Sequence, residues 1–165
     1  MQRFLKWFAA VIVNQIKRDE LGPKLYEALA RLLVSTAFEA IAFRRDVNGA
    51  ISIFLTQRGP DEAYAGQWHF PGSIIRVGES PRDVMNRVGT REFGSSITQF
   101  SFIDWRTRQE ARGWFLQIVC AVELAQEPTK PGQWFLLSAL PEPMVSFHRD
   151  EFVGLLKGYL TNLKA

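Results

Sequence analysis

Residues 68–94 read W-H-F-P-G-S-I-I-R-V-G-E-S-P-R-D-V-M-N-R-V-G-T-R-E-F-G, and how this stretch divides decides what surrounds it. Ser80 and Pro81 open a helix. A serine hydroxyl accepts from the free N–H groups of a first turn, proline is already set for the first helical position, and Asp83 stands where a capping-box partner belongs. Gly94 marks the end. On one continuous helix, positions 88, 91 and 92 are three and four apart and share a face. They are Val88, Arg91 and Glu92, whose formal charges sum to zero.

Upstream, A-F-E-A-I-A-F at 37–43 and I-S-I-F-L-T at 51–56 alternate as strands, and Asn48-Gly49 between them is a hairpin signal. A loop over residues 58–67 leads into the Trp68 segment. Downstream, residues 101–105 and 114–124 read as two further strands around a polar loop at 106–113. Residues 134–137 form a short closing strand, and a last helix starts near His148 or Asp150 with Phe152, Leu155, Leu156 and Tyr159 on its stripe. Ahead of all this lie two helices. One covers residues 4–13, with Leu5, Phe8, Ile12 and Ile16 at helical spacing and Phe4, Trp7 and Val11 on its other side. The second covers residues 23–33, with Leu25, Leu29 and Leu32 in a row. The order of elements predicts an α/β (α+β) sandwich with a sheet between helices.

The chain has 165 residues, 47% of them hydrophobic and 13% aromatic, which is core material for one domain. Its 20 basic and 17 acidic residues leave +3, enough to favour phosphate-bearing ligands and too little to imply a specific nucleic-acid partner. Cys120 is the single cysteine, so no intramolecular disulfide and no zinc spacing arise, and a reducing cytoplasm is the expected compartment. The apolar run at 4–13 is interrupted by Lys6 and falls short of the ~20 residues a membrane span needs. It is expected to dock on the domain or on a partner subunit, or else to attach to a membrane surface.

Residues 73–95 resemble the Nudix box: Gly, five residues, Glu, seven residues, Arg-Glu, an aliphatic, any residue, Glu-Glu, any residue, Gly, an aliphatic. Glu79, Arg87, Glu92 and Gly94 match; Ser73, Val88, Gly89, Arg91 and Ser95 depart. The flanks resemble the family too, in F-L-T-Q-R before G-Q-W-H-F-P-G and in W-F-L-L-S-A-L-P-E near the end, so that the likeness covers about residues 35–159. It implies a Nudix-type α/β/α sandwich with a mixed sheet over residues 34–165, preceded by a helical extension over residues 1–33. The pairs Arg87-Val88 and Arg91-Glu92 are similar to the modified box of GDP-mannose mannosyl hydrolases, which hold one Mg²⁺ and cut at the sugar carbon.

From this resemblance the expected activity is hydrolysis of a nucleoside-diphosphate-linked compound, such as a nucleotide sugar, with a single Mg²⁺ or Mn²⁺; a homodimer is expected separately, with residues 1–33, outside the resemblance, as its contact. The alternative is a Nudix fold that binds a nucleotide or a protein without turnover. Glu92 and Glu110 are the candidate catalytic residues and metal ligands, with Glu39 as a further carboxylate. Arg58, Arg91, Arg106 and Arg108 are candidate diphosphate contacts, because a guanidinium fork can bind two phosphate oxygens at once. Tyr64 is a candidate base-stacking residue. Gly72, Glu79, Arg87 and Gly94 are structural, Glu79 and Arg87 as a pair tying the loop to the helix. Gly89 reads as a relaxed helix position, and His69 and His148 as a polar sheet-face residue and a cap or surface residue.

An arginine at position 91 is hostile to a cation. Like charges about 4 Å apart repel by roughly 4 kcal/mol at an effective dielectric of 20, and a divalent ion doubles that.

Overall fold

The computed structural model describes residues 1–15, 22–110 and 113–163. Two helices, α1 (Gln2–Gln15) and α2 (Gly22–Ala30), precede strands β1 (Val34–Arg45), β2 (Ile51–Gln57), β3 (Trp68–His69) and β4 (Gly72–Ile74). Helix α3 (Pro81–Val88) continues into a π-helical turn (Gly89–Phe93). After it come β5 (Ile97–Glu110), β6 (Gly113–Leu124), β7 (Gln133–Leu136), a second π-turn (His148–Phe152) and α4 (Val153–Asn162).

The strands form one mixed sheet in the order β3-β2-β1-β6-β5, with β4 on β1 and β7 on β2. Strand β1 is its axis. It runs parallel to β6 over residues 34–42, while its other edge pairs antiparallel with β4 near Phe38 and with β2 near Arg44. The β1–β2 hairpin turns where Asn48-Gly49 predicts it: Gly49 has φ 84°, and the Asp46 carboxylate accepts from the backbone N–H groups of Asn48 and Ala50.

Side-chain alternation along the strands sends apolar residues to both faces. Phe38, Ala40 and Ala42 join Phe54, Cys120 and Val122 against Val84, Val88 and Phe93 of the α3 region. Ile41, Ile53, Leu55 and Val119 meet Phe70, Phe152, Leu156 and Leu160 on the α4 side. Both layers are closed, which is the sandwich expected from the order of elements.

Several expectations are corrected. Residues 106–110 are strand rather than loop: β5 runs to Glu110, which pairs with Gly113 at the start of β6. Helix α2 stops at Ala30, so Leu32 leaves the helical stripe and stands 80% exposed. Helix α1 has the extent foreseen but buries no side chain, so within this chain it does not dock on the domain. Ile16 and the residues expected to close that helix lie outside the described residues.

Candidate active site

The helix start is built as its sequence reads. Ser80 Oγ accepts from the Asp83 backbone N–H and the Asp83 carboxylate accepts from the Ser80 N–H, a complete capping box. Seven residues on, Arg87 clamps the preceding loop. Its Nε and Nη2 donate to the two oxygens of Glu79 at 2.6 and 2.7 Å, Nη1 donates to Ser73 Oγ at 2.6 Å, and Nη2 also reaches the Ile74 carbonyl at 2.8 Å. The side chains are 13% and 15% exposed. The Arg87 guanidinium, aided by the Arg76 N–H, holds the Glu79 carboxyl down at about 2. Ser73, which stands where the box has glycine, is absorbed into this clamp.

Beyond Arg87 the expected common face dissolves. Val88 is fully buried with Val84, Met85 and Phe93, while Arg91 is exposed and Glu92 half-buried. A π-turn inserts an extra residue per turn, so the three- and four-residue spacing no longer aligns side chains as on an α-helix. The apolar Val88 follows the core. Gly89 is not a relaxed position either: a Cβ there would lie 2.7 Å from the Ser95 carbonyl and 3.0 Å from Ile97 N, because the chain returning into β5 presses on the turn.

Glu92 keeps a carboxylate near the clamp. Burial, reinforced by the charge of Glu62, raises its pKa, while Arg58, Arg91 and Arg87 pull it down. A carboxylate held in that balance takes a proton more readily than a free one. Among the described residues, no three of His, Cys, Asp and Glu are grouped so as to hold a metal ion. The donor set on α3 and its π-turn therefore does not fit the multi-carboxylate metal centre of the box.

A cleft of about 90 Å³ adjoins the clamp, sharing Ser73 and Ile74 with it and lined on the α4 side of the sheet by Glu39, Arg58, Tyr64, Glu110, Gln117 and His148, among others. The register explains the assembly. Glu39 shares strand parity with the buried Ile41, and directly paired residues of an antiparallel ladder share a face, so Arg106, Arg108 and Glu110 of β5 lie on the side of Gln117 and Phe115 of β6. Gln117 Nε2 donates to Glu39 Oε1 at 3.4 Å, and both residues are buried. Gly72 admits the Glu39 carboxylate, since a Cβ at 72 would sit 2.5 Å from Glu39 Oε2.

Arg58 lines the cleft, while Arg106 and Arg108 lie off its lining. Arg58 is 3.7 Å from Glu62, and its Nε is buried without a hydrogen-bond partner. Arg108 pairs with Glu151, lies 4.3 Å over the Phe147 ring and likewise buries an unpartnered Nε. Arg106 is engaged by Asp104 at 2.6 Å. Tyr64 holds a left-handed backbone, φ 63°, a costly conformation outside glycine, and sets its ring edge-on to Phe147.

Two histidines complete the neighbourhood. His69, opposite Thr56 in the β2–β3 pair, meets the Thr56 hydroxyl at 3.1 Å through Nε2 and the Phe70 carbonyl at 2.7 Å through Nδ1. Burial, then the charge of Arg58, pushes its pKa down to about 3. His148 is no surface cap. It is 1% exposed, stacks on Phe70, lies tilted against Phe152, and accepts the Phe70 N–H on Nδ1 at 2.9 Å. Burial, with His69, Arg58 and Arg108 around it, lowers its pKa well below the ordinary value. Both rings are neutral at pH 7.

The structure thus brings Glu39, Glu110, Arg58 and Tyr64 to one cleft and leaves Glu92 and Arg91 off its lining. Gln117 and His148 were missed as cleft residues. Gln117 sits inside the apolar run W-F-L-Q-I-V-C at 114–120, and a polar residue interrupting a buried strand is the signal that could have found it.

The comparisons with known proteins bear on this geometry. The sequence matches no family model and no curated protein. Solved structures do match. NrtR of Shewanella oneidensis superposes with a TM-score of 0.65 at 18% identity over 78% of this chain, which spans only 64% of that protein's length. The Nudix domain of the same NrtR, solved with ADP-ribose, matches at 0.61 and 15% identity over 78% of this chain and 89% of the domain. A MutT Nudix hydrolase of Burkholderia pseudomallei matches at 0.61 and 20% identity, over 71% and 94%. The chain has the Nudix fold.

Proposed function

We propose that this chain is a Nudix-fold domain that binds a nucleoside-diphosphate-linked compound and does not turn it over. The observation that carries the reading is the fate of the box helix: Val88 is sealed in the core and Arg91 stands in solvent, leaving Glu92 as its one carboxylate among positions 88, 91 and 92. What the site retains is suited to holding anions. Arg58 lines the cleft and Arg108 stacks on Phe147 of its wall; each keeps a buried Nε–H without a partner, and an unused buried donor favours an acceptor ligand.

Tyr64 and Phe147 offer aromatic surface beside those charges. The solved complex of the NrtR Nudix domain with ADP-ribose supports a diphosphate of this class. At about 90 Å³ the cleft is below the ~300 Å³ of small-molecule pockets, so it accepts one end of such a ligand while the 58–67 segment shifts to admit the rest.

Calorimetric titration with ADP-ribose, GDP-mannose and dinucleoside polyphosphates, with and without Mg²⁺ or Mn²⁺, tests this directly. Binding that Arg58→Ala weakens at least tenfold, with no product formed, is the expected result. Metal-dependent hydrolysis that Glu92→Gln abolishes would overturn it in favour of a hydrolase with a single ion on Glu92.

A further inference from the structure

Helix α1 takes no part in the cleft or the core. None of its side chains is buried, and Phe4, Leu5, Trp7, Phe8 and Ile12 are each 47–64% exposed. On a wheel of about 100° per residue, Phe4, Leu5, Phe8, Val11 and Ile12 fall within about 120°, an arc that the terminal Gln15 also enters, and with Trp7 and Ala9 at the borders the mainly apolar arc widens to about 200°. Arg3 and Lys6 occupy the opposite arc, Trp7 lies beside Arg3 at the boundary, and the helix holds no acidic residue.

A helix docked on a folded domain hides an apolar stripe of about 100°. The arc of α1 is about twice that and hides nothing, while Phe4 stacks on Phe8 with ring centroids 6.3 Å apart in open solvent. At about 1.5 Å per residue the helix is about 21 Å long, short of a bilayer core of ~30 Å. Among the described residues no helix is long and apolar enough to cross a membrane. A wide apolar arc, an aromatic border and an opposite face whose only charges are cationic, Arg3 and Lys6 among Gln2, Ala10, Val13 and Asn14, are the features of a helix lying in a lipid interface.

We propose that α1 seats this protein on an anionic lipid bilayer, with Phe4, Phe8 and Ile12 in the acyl boundary and Arg3 and Lys6 among the headgroup phosphates. Charge complementarity selects the surface: two cations with no acid on the same helix are drawn to acidic lipid rather than to a neutral sheet.

The test is co-sedimentation of the full chain with vesicles of phosphatidylcholine alone and of phosphatidylcholine mixed with phosphatidylserine. The chain is expected to bind the mixed vesicles about thirtyfold tighter, as two basic residues at a charged surface imply. Phe8→Glu with Ile12→Glu abolishes binding to both kinds, and Arg3→Gln with Lys6→Gln removes only the preference for the acidic ones. All four side chains leave the core untouched, so the thermal midpoint stays that of the parent chain and loss of binding is not loss of fold. Absence of sedimentation with either vesicle, or sedimentation that survives Phe8→Glu with Ile12→Glu, overturns the proposal. So does a dimer, seen by light scattering without lipid, that the same pair dissociates while vesicles capture nothing; α1 would then be a contact between two copies. None of these readouts depends on what the cleft binds.

Discussion

The two halves of the box segment have gone separate ways. From Ser73 to Arg87 a built polar network holds the segment: one guanidinium ties together a loop carboxylate, a hydroxyl and a carbonyl, and a capping box starts the helix. From Val88 to Glu92 the positions that would gather carboxylates hold a core valine, a solvent arginine and one glutamate. The first half serves the fold itself, because the loop over 75–79 is held by the clamp together with Ile75, which packs on the core of the α3 side. The second half is required only by a metal. Where the two demands separate, packing has claimed what electrostatics released.

The sharpest way to break this contrast is to restore the box. Val88→Glu would place a carboxylate at a position with no exposure and apolar neighbours, so it is expected to destabilise by about 4 kcal/mol, read as a lowered urea midpoint. A soluble, equally stable variant that gains divalent-ion affinity would show that the side chain can swing outward and that the metal half is merely dormant.

The clamp comes next. Arg87→Ala leaves Glu79 and Ser73 without their partner and is expected to cost about 2 kcal/mol, less than the figure for a fully buried pair because both side chains keep some access to water. Lysine at 87 should recover only part of this, since an ammonium cannot serve Glu79, Ser73 and Ile74 together.

The same contrast sets the acid response. Glu79 is depressed to about 2 in the fold against an ordinary value near 4.5, so its stabilisation is complete above pH 4.5 and is lost as pH falls toward 2. His69 and His148 act in a higher window. Each is buried neutral and binds its proton more weakly folded than unfolded, so stability begins to fall as pH drops below about 6.5. Urea midpoints followed from pH 7 to 2 should decline in both windows. Glu79→Gln removes the lower one alone, and a decline in that lower window unchanged by the substitution would mean the clamp stores no such energy.

Much of this was legible in the residues. The capping serine and proline, the Asn48-Gly49 hairpin and the strand runs are local, and local rules of spacing and turn chemistry reach them; the Glu79–Arg87 pairing comes from the resemblance to the box. The failures are long-range. Helical spacing placed Val88, Arg91 and Glu92 on one face, but the segment from Gly89 is a π-turn with Gly89 against the Ser95 carbonyl, a contact invisible to periodicity. Glu110 read as a loop residue because R-T-R-Q-E is polar, whereas β5 is an edge strand with one face in solvent and needs no apolar alternation there. His148 read as a cap because it opens a helix; what buries it are Phe70 and Phe147, one of them distant in sequence.

The smallest effect sought is the most discriminating. Arg91→Glu adds a carboxylate where the box has one, but on an exposed side chain, so stability should move by no more than about 0.5 kcal/mol. Electrostatically the change is larger. Arg91 is among the cations that pull the pKa of Glu92 down, and replacing it with a second acid removes that pull and adds repulsion, so Glu92 should titrate higher still. A divalent cation would relieve the repulsion. If Arg91→Glu alone brings Mn²⁺ affinity, detectable by calorimetry, then one substitution separates the two halves of the segment. If it brings none, the buried Val88 and the π-turn are the deeper obstacle, and loss of the metal face is a matter of backbone geometry as well as charge.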